Sequence, residues 1–452
     1  MTAIADTLWF QQALLPDGWA RDMRVTIRDG LIAAIETDAF PEAGDERHAI
    51  ALPGLPNLHS HAFQRGMAGL AERRGSGSDS FWTWREIMYR FVDRIGPDEL
   101  EAIAALAYME MLESGSTRVG EFHYLHHDLD GGAYADRARM ASSIAAAAER
   151  TGIALTLLPV FYAHSGFGGA APGAGQRRFL HDIDGFAALM EASRHAVAPL
   201  PDAIVGIAPH SLRATTPDEL AAILPLAQRG PIHIHIAEQT AEVVDCLAWS
   251  GARPVDWLLD HAPVDDRWCL VHATHITDGE ARRIAASGAV VGLCPITEAN
   301  LGDGIFPAAA FTGRFGIGSD SNVLIDATEE LRLLEYGQRL IQRERNVLAS
   351  GPDRSTGADL YRKVLDGGAR ALGAEMGIAT GRSADFVTLD TDHPALIGRE
   401  GDRLIDSLIF AAGRAAIDCV WRRGARIVAD GSHVARESIV ADYRAVLGRL
   451  LA

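Results

Sequence analysis

Between Pro56 and Ser319 the chain alternates apolar strand-like runs with helical stretches, and this alternation restricts its fold more than any other feature. The strand candidates are Pro56–His61, Ser116–Phe122, Ala154–Phe161, Ile204–Pro209, Pro231–Ala237, Trp268–Ala273, Ala289–Cys294 and Arg314–Ser319. Asp98–Glu113 is the clearest helix between them. Leu100, Ile103, Leu106 and Tyr108–Leu112 form its apolar stripe, and Gly115 can end it. Eight strands alternating with helices over about 300 residues fit an α/β (β/α)8 TIM barrel. A doubly wound open sheet competes, and the strand count alone leaves it open.

Both ends read as β-structure. Arg24–Arg28 and Leu31–Ile35 flank Asp29-Gly30, a two-residue hairpin signal. Ala384–Asp390 is a strand candidate, and Cys419–Trp421 and Ala425–Val428 flank Arg423-Gly424 as a second hairpin. The expected organisation is a small β-sandwich domain built from 1–55 and 383–452, around a barrel at 56–382.

The formal net charge of -18 offers no broad basic surface for nucleic acid or anionic lipid. A small anionic substrate would then need local arginines. Cys246, Cys269, Cys294 and Cys419 show no CxxC spacing, which suits a reduced cytoplasmic protein. Met1–Leu15 lacks a basic start followed by an apolar run, so no leader is expected. No run of 18 uncharged apolar residues occurs, so no membrane span is expected. Gly166–Gly175 reads as a lid or connector, since it lacks the lysine and helix start of a phosphate loop.

Polar residues cluster where the strand candidates end, the active-site side of a barrel. His59 and His61 share one strand face by their period of two, although a structural pair reads equally well. His235 ends Ile232–Ile236, with Glu238 just beyond, which suits a ligand beside a proton-transfer carboxylate. His233, deeper on that strand, reads as a packed core histidine. His272 could orient an attacking water or simply be buried, and His275 reads as structural or at the rim. Asp320 could bind a metal and accept a proton, or cap a helix.

In order, HxH, His, His and Asp each end a different strand. This arrangement resembles the amidohydrolase superfamily over nearly the whole chain, including the split terminal β-domain. The resemblance implies one divalent metal ion, Zn2+ first and Fe2+ second, on His59, His61, His235 and Asp320. It implies that Glu238 shuttles protons, that His272 assists an attacking water and that Asp320 takes its proton. Lys363, the only lysine, lies beyond the eighth strand, so the carbamylated-lysine bridge of binuclear members has no candidate on the fourth. Glu121 is the nearest alternative bridge. A single metal is expected, and mononuclear members with this His-x-x-Glu pattern are typically deaminases.

Finer resemblance lies in Pro56–Arg65, Phe81–Arg85, Glu121–His126, Ala208–Arg213 and Thr297–Gly304. These segments look like the superfamily's formimidoylglutamate deiminases, which hydrolyse N-formimino-L-glutamate to N-formyl-L-glutamate and ammonia in histidine degradation. The resemblance assigns substrate binding to Gln64, Arg85, Tyr124, His210 and Arg213, and suggests a homodimer. Chemistry supports the arginines separately, because a guanidinium fork holds a carboxylate bidentately and this substrate is a dicarboxylate. Trp82 and Trp84 read as packing residues. His123, His126 and His127 read as a solvated loop. Two rivals stand: a deaminase of a heterocycle such as guanine, and a non-catalytic barrel scaffold.

Overall fold

The computed structural model describes residues 6–74 and 79–452. The leader-free reading of the N-terminus therefore falls partly outside the described residues. The chain opens with β1 (Thr7–Leu15), β2 (Gly18–Arg28), β3 (Leu31–Glu36) and β4 (Glu46–Pro53). The predicted turn between β2 and β3 is present, with φ of +53° at Asp29 and +79° at Gly30. Those signs match the strand twist of a two-residue hairpin. β1 was not legible, because Gln11 and Gln12 interrupt its apolar alternation.

Nine further strands follow: β5 (Leu55–Ser60), β6 (Ser116–His123), β7 (Ala154–Phe161), β8 (Ile204–Val205), β9 (Ala208–Pro209), β10 (Ile232–Ile236), β11 (Trp268–His272), β12 (Val290–Leu293) and β13 (Arg314–Ile317). Two parallel sheets result, ordered β5-β6-β7-β8 with β9 on β7, and β10-β11-β12-β13. Lone parallel bridges link them: Ser60 to Asp320 on one flank, Ile207 to Ile232 and Ser211 to His235 on the other. Strands β5, β6, β7, β10, β11 and β12 are buried throughout. Helices cover them, so β7, β11 and β12 read as nearly continuous apolar runs, while β5, β6 and β10 bury polar side chains as well. The strand candidate Ile204–Pro209 is split in two. Gly206 sits so close to the next segment that a Cβ would meet the Pro231 carbonyl oxygen at 2.3 Å.

The chain closes with β14 (Phe386–Leu389), β15 (Ile417–Arg422), β16 (Ala425–Ala429), β17 (Ser432–His433) and the helix Arg436–Leu451. The second predicted hairpin also stands, with φ of +49° at Arg423 and +76° at Gly424. β14 pairs antiparallel with β4, joining both ends of the chain in one sheet ordered β17-β16-β15-β14-β4-β1-β2-β3. The expected β-sandwich is thus a single hydrogen-bonded sheet. It curls, since Leu31 beside its edge hairpin bridges Ser383 ahead of β14. Leu8, Phe10, Val25, Ala51, Phe386 and Trp421 share one core within it.

Only Gly54 separates β4 from β5, so the terminal sheet sets where the HxH strand begins. A Cβ at Gly54 would lie 2.2 Å from the Thr117 side chain, so no larger residue fits this junction. All four cysteines are free and buried. Among the described residues no helix is long and apolar enough to cross a membrane.

Candidate active site

The C-terminal ends of β5, β10, β11 and β13 bring the sequence-predicted residues together. Non-glycine residues turn sharply there through left-handed backbone: Ala237 (φ +50°), His272 (+67°), Ala273 (+48°) and Asp320 (+45°). Such conformations are costly and persist where surrounding structure holds them. At Asp320 the hold is visible. Its N–H donates to the His59 carbonyl and its own carbonyl accepts from the His61 N–H, each at 2.9 Å. Asn322 Nδ2 donates to the carbonyls of His61 and Asp320, at 3.0 and 3.1 Å.

His59, His61, His235 and Asp320 are buried, and one donor atom from each lies within 4.8 Å of the others. His235 Nε2 is 3.1 Å from His59 Nε2, and Asp320 Oδ1 is 3.2 Å from His61 Nε2 and 3.4 Å from His59 Nε2. The outer nitrogens set the tautomers. His61 Nδ1–H donates to the Phe122 carbonyl at 3.0 Å, and His235 Nδ1–H donates to the His210 carbonyl at 3.1 Å. Their Nε2 lone pairs therefore face inward, the usual outer support of a metal-binding imidazole. Burial pushes His59 down to about 3 and His235 well below the ordinary histidine value. Asp320 is held well below the usual carboxylate range despite burial, by the neighbouring His59 and His61. Three inward-facing nitrogens with one carboxylate suit a divalent ion such as zinc. Lys363 is remote from this cluster, its Nζ donating to the Leu348 carbonyl. Glu121 is not part of it, and its Oε1 accepts from the Ala62 N–H at 2.8 Å.

Glu238 and His272 flank the cluster. His272 Nε2 stands 3.8 Å from both Glu238 Oε1 and Asp320 Oδ2. Its Nδ1–H donates to Glu298 Oε1 at 3.2 Å. Burial disfavours its charge, but Glu238, Glu298 and Asp320 together raise it to about 10. Glu238 lies above the usual carboxylate range, chiefly through burial, with Asp320 and Glu242 adding to the rise while His272 and Arg213 oppose it.

One cavity reaches from these groups outward. It is lined by His61, Gln64, Tyr124, His210, Arg213, His235, Glu238, His272 and Asp320, and by Phe81, Trp84, Arg85, Met88 and Tyr89 from the helix Phe81–Val92. All five predicted substrate-binding side chains are thus on its wall. Gln64 Nε2 donates to the Tyr124 hydroxyl at 2.8 Å. Arg213 Nη2 is 3.8 Å from Glu238 Oε2. Burial works against its charge, yet Glu242 and Glu238 hold it above the usual guanidinium value. The Nε atoms of Arg85 and Arg213 are both buried without a hydrogen-bond partner.

Several residues sit differently from expectation. His123, His126 and His127 are buried rather than on a solvated loop, since β6 runs on to His123 and the chain beyond tucks under the segment carrying Arg178. Trp84 lines the cavity, and Trp82 packs under the Arg85 guanidinium at 4.5 Å. His233 is a core histidine as read, donating to the Ala371 carbonyl at 2.7 Å.

Glu298, Glu242, Tyr89 and Tyr162 escaped the sequence reading. Glu242 accepts from the N–H groups of Ala237 and Glu238, each at 3.2 Å, and so shapes the turn that aims Glu238. The signal for both glutamates was a carboxylate in the first turn of a helix following a parallel strand, β10 for Glu242 and β12 for Glu298. Tyr89 stands one turn after Arg85 on the same helix face. Tyr162 directly follows β7, the rule that found the other residues.

Residues 50–427 match the model "Amidohydrolase family", and residues 7–49 match "Formimidoylglutamate deiminase HutF, N-terminal domain". The chain is 50% identical to formimidoylglutamate deiminase of Pseudomonas aeruginosa, over 98% of this chain and 99% of that protein. A crystal structure of an amidohydrolase from Brucella melitensis is 54% identical, with a TM-score of 0.96 over 99% of this chain and 100% of that one. An adenosine deaminase from Xanthomonas campestris with bound zinc shares the fold at 24% identity, with a TM-score of 0.80 over 98% of each chain. With its donor set and its match over most of its length, this chain belongs to the amidohydrolase family, whose members work with a divalent metal.

Proposed function

We propose that this protein hydrolyses N-formimino-L-glutamate to N-formyl-L-glutamate and ammonia, a step of histidine degradation. One observation carries the reading: two arginines whose Nε atoms are buried without a hydrogen-bond partner, Arg85 and Arg213, line the same cavity as the histidine–aspartate cluster. A buried N–H left without a partner is costly, and a dicarboxylate supplies the acceptors that both Nε atoms lack. A heterocycle brings no such charge, so it leaves the arginines unexplained. The likeness to the Pseudomonas aeruginosa deiminase supports the same choice.

His59, His61, His235 and Asp320 would hold one divalent ion, zinc in the first instance. When bound, such an ion lowers the pKa of water and polarises a nearby C=N group. The chain's own residues do the rest. Arg85 and Arg213 grip the carboxylates, with Gln64, Tyr124 and His210 shaping the remaining wall. Asp320 accepts a proton from the attacking water, and His272, oriented by Glu298, holds that water in line. As the oxygen bonds to the formimino carbon, the C=N electron pair moves to nitrogen and Glu238 protonates it. Asp320 then passes the first proton to the same nitrogen and Glu238 takes the remaining hydroxyl proton, so the C–N bond breaks, ammonia leaves and the formyl C=O forms. A Glu238 held above the usual carboxylate range suits a group that must bring a proton to the substrate nitrogen.

We read the two bridged parallel sheets as one closed (β/α)8 barrel over 56–382, with 1–55 and 383–452 as the companion β-domain. The buried free thiols suit the cytoplasm. The exposed Leu340 and Ile341 suit a homodimer contact. The direct test is ammonia release by metal-loaded protein given N-formimino-L-glutamate or guanine. Release from guanine alone would reverse the choice of substrate.

A further inference from the structure

The glycine-rich stretch 166–175 ends against the cavity wall. A Cβ on Gly175 would meet the Tyr89 ring at 2.7 Å, so the backbone lies directly on a cavity-lining side chain. The next residue, Gln176, is buried. Its Oε1 accepts from the Gly173 backbone N–H at 2.7 Å. A backbone N–H can only donate, so this contact settles which end of the amide is oxygen. Nε2 must then face the other way, where it donates to the Tyr162 hydroxyl oxygen at 2.6 Å. A hydroxyl that accepts there has to direct its own proton elsewhere.

Tyr162 lines the cavity beside Arg85, His210 and Arg213, with its ring centroid 4.5 Å from that of His210. Its hydroxyl and that of Tyr89 both lie within electrostatic reach of Arg213. We propose that Tyr162 is a further substrate-binding residue, donating its hydroxyl proton to the carboxylate held by Arg213. Gln176 is then a positioning residue that aims this proton, and 166–176 is a fixed strap on the pocket wall. The proposal rests on the dicarboxylate reading above.

Steady-state kinetics on N-formimino-L-glutamate test it with three variants whose metal content and melting temperature match the unaltered protein. Tyr162→Phe deletes only the hydroxyl, and a neutral donor to a charged acceptor predicts a rise in KM of about 10- to 100-fold with kcat little changed. Gln176→Glu keeps the Gly173 contact but turns Tyr162 into a donor toward the new carboxylate, so KM should rise similarly. The double variant should be no worse than Tyr162→Phe alone. Unchanged KM in Tyr162→Phe, or losses that multiply in the double variant, would overturn the proposal while leaving the activity standing. No ammonia from the unaltered protein would overturn both readings together.

Discussion

His59, His61 and His235 crowd around Asp320, while His123, His126, His127 and His181 crowd around one another. Ring centroids in the second group stand 5.0 Å apart for His123 and His126, and 4.9 Å and 4.5 Å from His181 to His126 and His127. Both groups are buried, and burial lowers His59, His123 and His181 alike to about 3. Neutral, crowded imidazoles are therefore not enough to make a metal site. In the first group the Nε2 atoms converge and a carboxylate completes the set. In the second, His126 and His127 spend Nε2–H on the carbonyls of Val160 and Leu180, and no three donors converge. Direction and the added acid separate the two.

The widest test of this difference is metal content. Asp320→Asn or His235→Ala should abolish stoichiometric divalent metal and reduce turnover by about 10^4-fold or more, a loss comparable to removing a whole catalytic device. His126→Gln should keep full metal by elemental analysis. Metal lost equally from both would erase the distinction. Next in size is Glu238→Gln, which leaves all four proposed ligands in place. Turnover should fall by about 10^3-fold, within the range for a proton-transfer group, with metal unchanged. Activity near that of the unaltered protein would remove Glu238 from the proton path. Arg213→Met should follow with a loss in kcat/KM of about 10^2-fold, mostly through KM, since one charged hydrogen-bonding partner is withdrawn. Kinetics indifferent to that change would dissolve the carboxylate grip.

The sequence made the first cluster legible and misplaced the second for one reason. His59, His61, His235 and Asp320 end strands whose apolar runs are easy to see, so their convergence follows from the fold. His126 and His127 lie past the end of β6, where nothing local says whether the chain turns outward or tucks in. Arg178, fifty residues on, decides it, because its carbonyl accepts from the N–H groups of both His126 and His127. Long-range contacts hid other features too. The single terminal sheet depends on β4 pairing with β14 across most of the chain, and Gln176 meets Tyr162 through a turn with no periodic pattern. Hairpin turns, by contrast, are encoded in two residues, and both appeared where read.

The smallest expected effect concerns acid, and it probes the second cluster directly. His123 is buried, with burial alone lowering it to about 3, whereas an unfolded histidine sits near about 6.5. Between those values the unfolded chain binds a proton that the folded chain refuses. Stability must therefore fall as pH drops below about 6.5, by about 1.4 kcal/mol per pH unit for each such histidine. His181 adds a second contribution of the same sign. The slope of unfolding free energy between pH 6 and 5, measured by urea denaturation, should decrease by about 1.4 kcal/mol per unit in His123→Asn. The proposed metal ligands titrate identically in both proteins and cancel from the difference. An unaltered slope would mean that His123 reaches water in the folded protein and takes up its proton there. The second cluster would then be a solvated loop after all, and burial would no longer be common to the two groups.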